Sequence, residues 1–340
     1  MKKVFRANLY FLIILLISTF APRLLAIIYR SLNIQDVRIV LLLNHCILFL
    51  VPAIIYVLIT KVSVRKTFRL NPISIKNILM VILLAVVIQP VVILFSLISS
   101  IFFPNEIGQF IGSIMDTPYL LLVLLIAGMP AITEEVTLRG VVLSGYDFKN
   151  KWTASIVTGI LFGIFHLNSQ QFLYAAVLGF VLAYLVRVTN SIFASMIMHF
   201  MINGLQITIQ KVAALFMDTS NIDPNAVANF SMNQKIQALS IYGFLAVVFG
   251  AASIILIKKI EDNCKARGIY DSYERMNLNN NHSYARVNLD SNTYSEVAKE
   301  RVLEEKVVNV PLILTIIGYL IIMNYPIIIE LFLKIVTFRR

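Results

Sequence analysis

The sequence predicts an all-α fold: a polytopic transmembrane helix bundle of about eight to nine spans. Three observations carry this. Hydrophobic residues make up 59% of the 340 residues and charged residues only 14%, whereas soluble domains carry about 25% charged residues. The mean hydropathy is +0.82. The apolar residues fall in successive runs near the length of about 20 residues that a spanning helix needs. The net charge of +11 fits basic loops beside anionic lipid, and no nucleic-acid partner is expected. Two cysteines, Cys46 and Cys264, exclude a disulfide framework and are expected to be free thiols.

The first span is read at 9–28, with Pro22 and Arg23 inside it. Lys2, Lys3 and Arg6 precede it, but no small-residue cleavage site follows, so no cleavable signal peptide is expected. The second span, 39–59, carries Asn44, His45 and Pro52; His45 is read as a packing or cavity contact. The loop 60–76 holds Lys61, Arg65, Lys66, Arg69 and Lys76 and no acid, which assigns it, and with it the N-terminus, to the cytoplasmic side. The third span, 77–103, is expected to kink at Pro90. The loop 104–118 has Glu106 and Asp116 but no Lys or Arg and is assigned to the outside.

A fourth span enters at Tyr119 and runs into the stretch 129–140, MPAITEEVTLRG. Three ionisable residues, Glu134, Glu135 and Arg139, sit there at or near bilayer depth, where such groups are expensive and face a bundle interior or a wet cavity. Glu135 and Arg139 are at i and i+4 and can pair. Glu134 then points elsewhere, and a free carboxylate beside a committed one suits acid–base work. A plain Glu–Arg clamp that staples the bundle is the alternative.

The fifth span, 153–167, has Gly159 and Gly163 four apart, a small-residue face for close packing, and ends at His166. The sixth is 172–188 and the seventh 191–216, with His199 and Asn203 one turn apart on one face. The loop 217–237 is assigned to the outside, and the eighth span, 238–257, stops at Lys258 and Lys259. The mixed-charge segment 261–306 reads as loop, with helix near 296–306, or as partly disordered. The last apolar stretch, 307–336, is either one kinked span or a re-entrant hairpin, and the charge rule favours the hairpin. Three regions are expected: 1–76, two spans and a basic loop; 77–257, the core; and 258–340, a polar segment followed by an apolar one.

Glu134-Glu135-x-x-x-Arg139-Gly140, Phe162-x-x-x-His166 and His199-x-x-x-Asn203 resemble, in order, the three motifs of the CPBP family. These are the CAAX-prenyl proteases and bacteriocin-processing enzymes, also called Abi proteins. The resemblance covers about 81–211. It implies a CPBP-type core and an endopeptidase opening to the cytoplasmic half of a cell membrane. It also implies catalytic roles among Glu134, Glu135, His166, His199 and Asn203, supported by Arg139 and Phe162. Glu134 would activate water with His166, and His199 and Asn203 would hold the oxyanion. Implied substrates are a pheromone- or bacteriocin-like precursor or a membrane protein, ahead of a prenylated one. A metal-free glutamate mechanism is favoured, with no cofactor. Zinc on Glu134, His166 and His199 is the other possibility, although no His-Glu-x-x-His is present.

Two further readings compete. One is a non-proteolytic immunity or scaffold protein that keeps the polar cluster for structure or for a membrane partner, which the polar segment 259–306 could engage. The other is a proton-coupled transporter, for which the chain offers no inverted repeat.

Overall fold

The computed structural model describes residues 2–216, 223, 225–284 and 305–338. The described residues are helical and contain no strand. Helix α1 is Lys3–Ser31. The second crossing is α2 (Val37–His45), a π-wound turn at Cys46–Leu50, and α3 (Val51–Thr60). A short α4 (Val64–Thr67) lies in the basic loop. The third crossing is α5 (Ile75–Val87) and α6 (Gln89–Phe102), broken at Ile88 where Pro90 cannot donate to the helix ladder. The expected kink is therefore real. Helix α7 (Glu106–Ser113) follows, outside the crossings.

The fourth crossing alternates: α8 (Tyr119–Val123), π-wound Leu124–Gly128, α9 (Met129–Glu135), π-wound Val136–Val142. Two of the chain's π segments end just before a proline, Pro52 and Pro130. A missing N–H resets the ladder, and π turns recur at functional sites. Then come α10 (Lys151–Phe165), α11 (Ser169–Thr189), α12 (Ile192–Phe216) and α13 (Met232–Lys265). Polar side chains set several starts: Asn150 accepts from Thr153 N, Asn168 from Gln171 N, and Ser231 forms a capping box with Gln234.

Among the described residues, seven helical runs are long and apolar enough to cross a membrane, and Lys151–Phe165 and Val310–Asn324 are shorter apolar helices. The expected glycine face does what its spacing suggests. A Cβ on Gly163 would lie 2.6 Å from the Phe172 carbonyl oxygen and one on Gly159 2.7 Å from that of Ala176, so only glycine lets α10 and α11 touch backbone to backbone.

Two expectations at the C-terminal end are corrected. The polar segment is not loop at its start: α13 runs on to Lys265, and α14 (Ser272–Tyr284) follows. The helix anticipated near 296–306 falls largely outside the described residues. The last apolar stretch is a single helix, α15 (Val310–Phe338), not a hairpin. Proline inside a membrane helix is tolerated because neighbouring groups re-satisfy the freed carbonyl, and Pro22 sits inside α1 in the same way. Helix α15 starts beside the start of α1: Asn8 donates to Asn309 at 2.9 Å and Phe5 N to Glu305 at 2.9 Å.

Candidate active site

The fourth crossing brings Glu134, Glu135 and Arg139 into the interior, as their desolvation cost requires. Glu135 and Arg139 are both fully buried. Arg139 Nη1 donates to Glu135 Oε1 at 3.0 Å and Nη2 to the Gly179 carbonyl at 3.2 Å. The expected i, i+4 pair thus forms, although Val136–Val142 is π-wound rather than α-helical. The guanidinium also stacks on the Phe162 ring, 4.2 Å from its centroid. From behind, Arg69 Nη1 donates to the Arg139 carbonyl at 3.3 Å.

Glu135 has a second partner that helix spacing could not reveal. His199 Nδ1 lies 2.8 Å from Glu135 Oε1 and donates to it, which turns Nε2 towards Glu134, 3.9 Å from its Oε2. Glu134 stays apart: it is 8% exposed, and its buried Oε2 has no hydrogen-bond partner among the described residues. Glu135 Oε2 and Arg139 Nε are also buried without partners.

His166 caps α10, and its Nδ1 donates to the Phe162 carbonyl at 2.8 Å, leaving Nε2 as the free ring nitrogen of the neutral imidazole. Phe162 stands between the two histidines, with ring centroids 4.8 Å from His166 and 5.8 Å from His199, both edge-on. Asn203 Nδ2 donates to the Ile126 carbonyl at 3.1 Å, inside the first π segment of the fourth crossing. One amide hydrogen is committed there and one is left.

Glu134, Phe162, His166, His199 and Asn203 all line one cavity of about 660 Å³, within the usual range for ligand sites. Glu135 and Arg139 do not line it; they form the layer beneath. His45 lines it too, its Nδ1 2.9 Å from Thr133 Oγ1. The reading of His45 as a cavity contact therefore holds, and only its partner Thr133 was not foreseen. Phe68 was missed altogether. It comes from the basic loop and packs where a Cβ on Gly140 would be 2.2 Å from its ring, so Gly140 is the glycine that admits it. A lone aromatic in a cationic loop carries no sequence signal for that contact.

Among the described residues, no three His, Cys, Asp or Glu side chains group closely enough to hold a metal ion. Glu134, His166 and His199 share the cavity; His199 Nδ1 bonds Glu135 and His166 Nδ1 the Phe162 carbonyl, which leaves the Nε2 of each ring uncommitted.

No curated protein and no solved structure matches the chain. Residues 116–205 match the family model described as type II CAAX prenyl endopeptidase Rce1-like, and all three motifs lie inside that match.

Proposed function

We propose that this protein hydrolyses a peptide bond inside the membrane with water activated by Glu134, and without a metal. The observation that carries the reading is the division of labour between neighbouring carboxylates. Glu135 is engaged by Arg139 and His199, while Glu134 faces the cavity with an unpartnered oxygen. Peptide hydrolysis needs a base for the water, an acid for the leaving amine and donors for the oxyanion.

In this reading Glu134 takes a proton from a water in the cavity as the hydroxide adds to the carbonyl carbon. The lone pair on His166 Nε2 accepts from the same water and aims it. The tetrahedral oxyanion receives the uncommitted Asn203 amide hydrogen and, when His199 carries its second proton, the Nε2–H of that ring. Glu134 then gives its proton to the departing amine as the C–N bond breaks. Glu135, Arg139 and Phe162 position His199 and do not touch substrate. The substrate class we favour is a peptide precursor or a membrane protein.

The test is cleavage by purified wild type and Glu134→Gln, each with and without a chelator, against a membrane proteome. Chelator-resistant cleavage that Glu134→Gln reduces by about 10²–10⁴-fold is the expected result, the usual worth of a general base. Chelator-sensitive cleavage with stoichiometric zinc would move the mechanism to a metal. A cellular phenotype that persists in Glu134→Gln would favour the scaffold or immunity reading.

A further inference from the structure

We infer that the peptide reaches Glu134 from the non-cytoplasmic face of the membrane, so the substrate class is an extracytoplasmic segment. The inference rests on the peptidase reading for the word substrate, but its structural basis is separate: the direction in which the cavity opens, set against the distribution of charge.

The cavity floor lies deep. Glu134 is fifteen residues from Tyr119, where the fourth crossing begins, and eight from Val142, where it ends. From that floor the cavity does not continue towards the nearer end. There Phe68, Leu138, Val141, Val142 and Leu143 are all buried, and Phe68 plugs the notch at Gly140. The plug is held in place. Asn71 donates to the Asn190 carbonyl at 2.7 Å, Ser191 Oγ to the Asn71 carbonyl at 2.6 Å and Ile192 N to the Arg69 carbonyl at 3.2 Å. The cavity runs the other way, past Asn203 and Gln206, to Ile107 and Phe110 on α7 and to Val227 and Phe230. Those last residues lie in the loops that join α6 to α8 and α12 to α13, on the far side of the bundle.

The two ends differ in charge. The plugged end carries Lys61, Arg65, Lys66 and Lys76, with Lys258 and Lys259 near the end of α13. The open end carries fewer cations, Arg30, Arg38, Lys211 and Lys235, together with Asp36 and with Glu106 and Asp116 in a 103–118 loop with no Lys or Arg. The positive-inside rule therefore places the plug in the cytoplasm and the mouth outside. The cytoplasmic opening implied by family resemblance and the orientation implied by charge cannot both hold, because plug and mouth are at opposite ends. The wall between mouth and floor also suits a polypeptide: among the described residues it is rich in amides, including Asn105, Gln170, Gln206 and Gln210, and Glu134 is its only carboxylate.

Accessibility of single cysteines tests this in the full-length chain. Cys46 and Cys264 are first replaced by serine, and spheroplasts of a bacterial host display the protein. Gln109→Cys and Ser113→Cys, both on exposed positions of α7, report the mouth, Lys66→Cys the plugged end, and Gln206→Cys the cavity wall. A membrane-impermeant maleimide is used for the first three and a small charged methanethiosulfonate for the last. The expected result is complete modification at 109, 113 and 206 in intact spheroplasts, with 66 modified only after lysis. Modification at 66 in intact spheroplasts, or at 109 and 113 only after lysis, would overturn the inference. So would a Gln206→Cys thiol that resists the reagent from outside. Cleavage activity plays no part in these readouts, so loss of the peptidase reading would leave the orientation result intact.

Discussion

The molecule buries two clusters of charge, and they are built differently. At the plugged end Arg187 spends every donor nitrogen: Nε and Nη2 on Asp271, Nη1 on the Tyr146 carbonyl at 3.1 Å, Nη2 also on the Lys149 carbonyl at 2.8 Å. Around it Arg69 pairs with Asp147, and Lys151 with Glu261 and Glu274. At the cavity floor, Glu134 Oε2, Glu135 Oε2 and Arg139 Nε are left without partners. Buried polar atoms in folded proteins are nearly always satisfied, and unsatisfied ones call for an explanation. The first cluster ties α14 to the bundle through Asp271 and Glu274. The second leaves Glu134 with bonding capacity in reserve on the cavity wall, above a layer where Glu135 and Arg139 also keep unused capacity. Burial of charge alone therefore does not mark a site in this fold; a buried carboxylate oxygen left unpartnered on a cavity wall does.

The contrast predicts opposite behaviour on substitution. Glu134→Gln should have the largest effect on rate, about 10²–10⁴-fold, yet leave thermal stability in detergent unchanged or raised, because no partner depends on that carboxylate. A melting temperature that falls together with activity would mean that Glu134 is structural after all.

Arg187→Met should do the reverse. Removing one partner of a buried pair strands the other, at about 3–5 kcal/mol, and Asp271 is itself only 2% exposed. Protein accumulation and melting temperature should drop sharply, while the folded fraction cleaves at close to the wild-type rate. Normal stability in Arg187→Met would remove the distinction between the two clusters.

Gly163→Ala probes the frame that holds both. Its new Cβ would meet the Phe172 carbonyl at 2.6 Å and its ring at 2.9 Å, and backbone cannot swing aside as a flexible side chain can. Overpacking of this kind costs about 1–3 kcal/mol. Because His166 ends α10, the separation of α10 from α11 should also disturb the cavity. Both melting temperature and rate are expected to fall, where Glu134→Gln and Arg187→Met each move only one.

How much of this the sequence discloses follows from the range of the interactions. The crossings, the glycine face and the three motifs are legible because each is local: apolar length, spacing of four, or an ionisable group too costly for lipid. The pairing of Glu135 with Arg139 is one helical turn and was foreseen. Its bond to His199 joins positions 64 residues apart and was not. The Phe68 plug and the Arg187–Asp271 tie likewise connect the core to segments that read as an orientation signal and a polar tail. The charge rule favours a hairpin for the last apolar stretch because Arg339 and Arg340 follow it, yet the chain runs on as one helix. The residues that share the cavity were thus readable as candidates, while the direction in which the cavity runs needed the packing.

A third kind of charge pair completes the comparison and should matter least. Asp36 accepts from Arg38 N at 2.8 Å as the cap of α2, and its carboxylate is gripped by the Arg38 guanidinium at 2.7–3.1 Å. Both side chains are about a third exposed, 34% and 38%. The Arg38 side chain and backbone N–H draw the Asp36 carboxyl down from its ordinary range to about 2. A depressed carboxylate contributes stability that is complete above its unfolded value, about 3.9, and is lost as the pH falls towards 2. Asp36→Asn keeps a capping acceptor and removes the charge. At neutral pH its melting temperature should therefore differ from wild type by an amount near the limit of detection, as exposed pairs generally do. Whatever difference exists should close between pH 4 and pH 2, as the wild-type carboxylate takes up its proton. A loss approaching that of Arg187→Met would mean that exposure does not separate strong from weak pairs here, and that satisfaction of every donor is not what makes the Arg187 cluster structural.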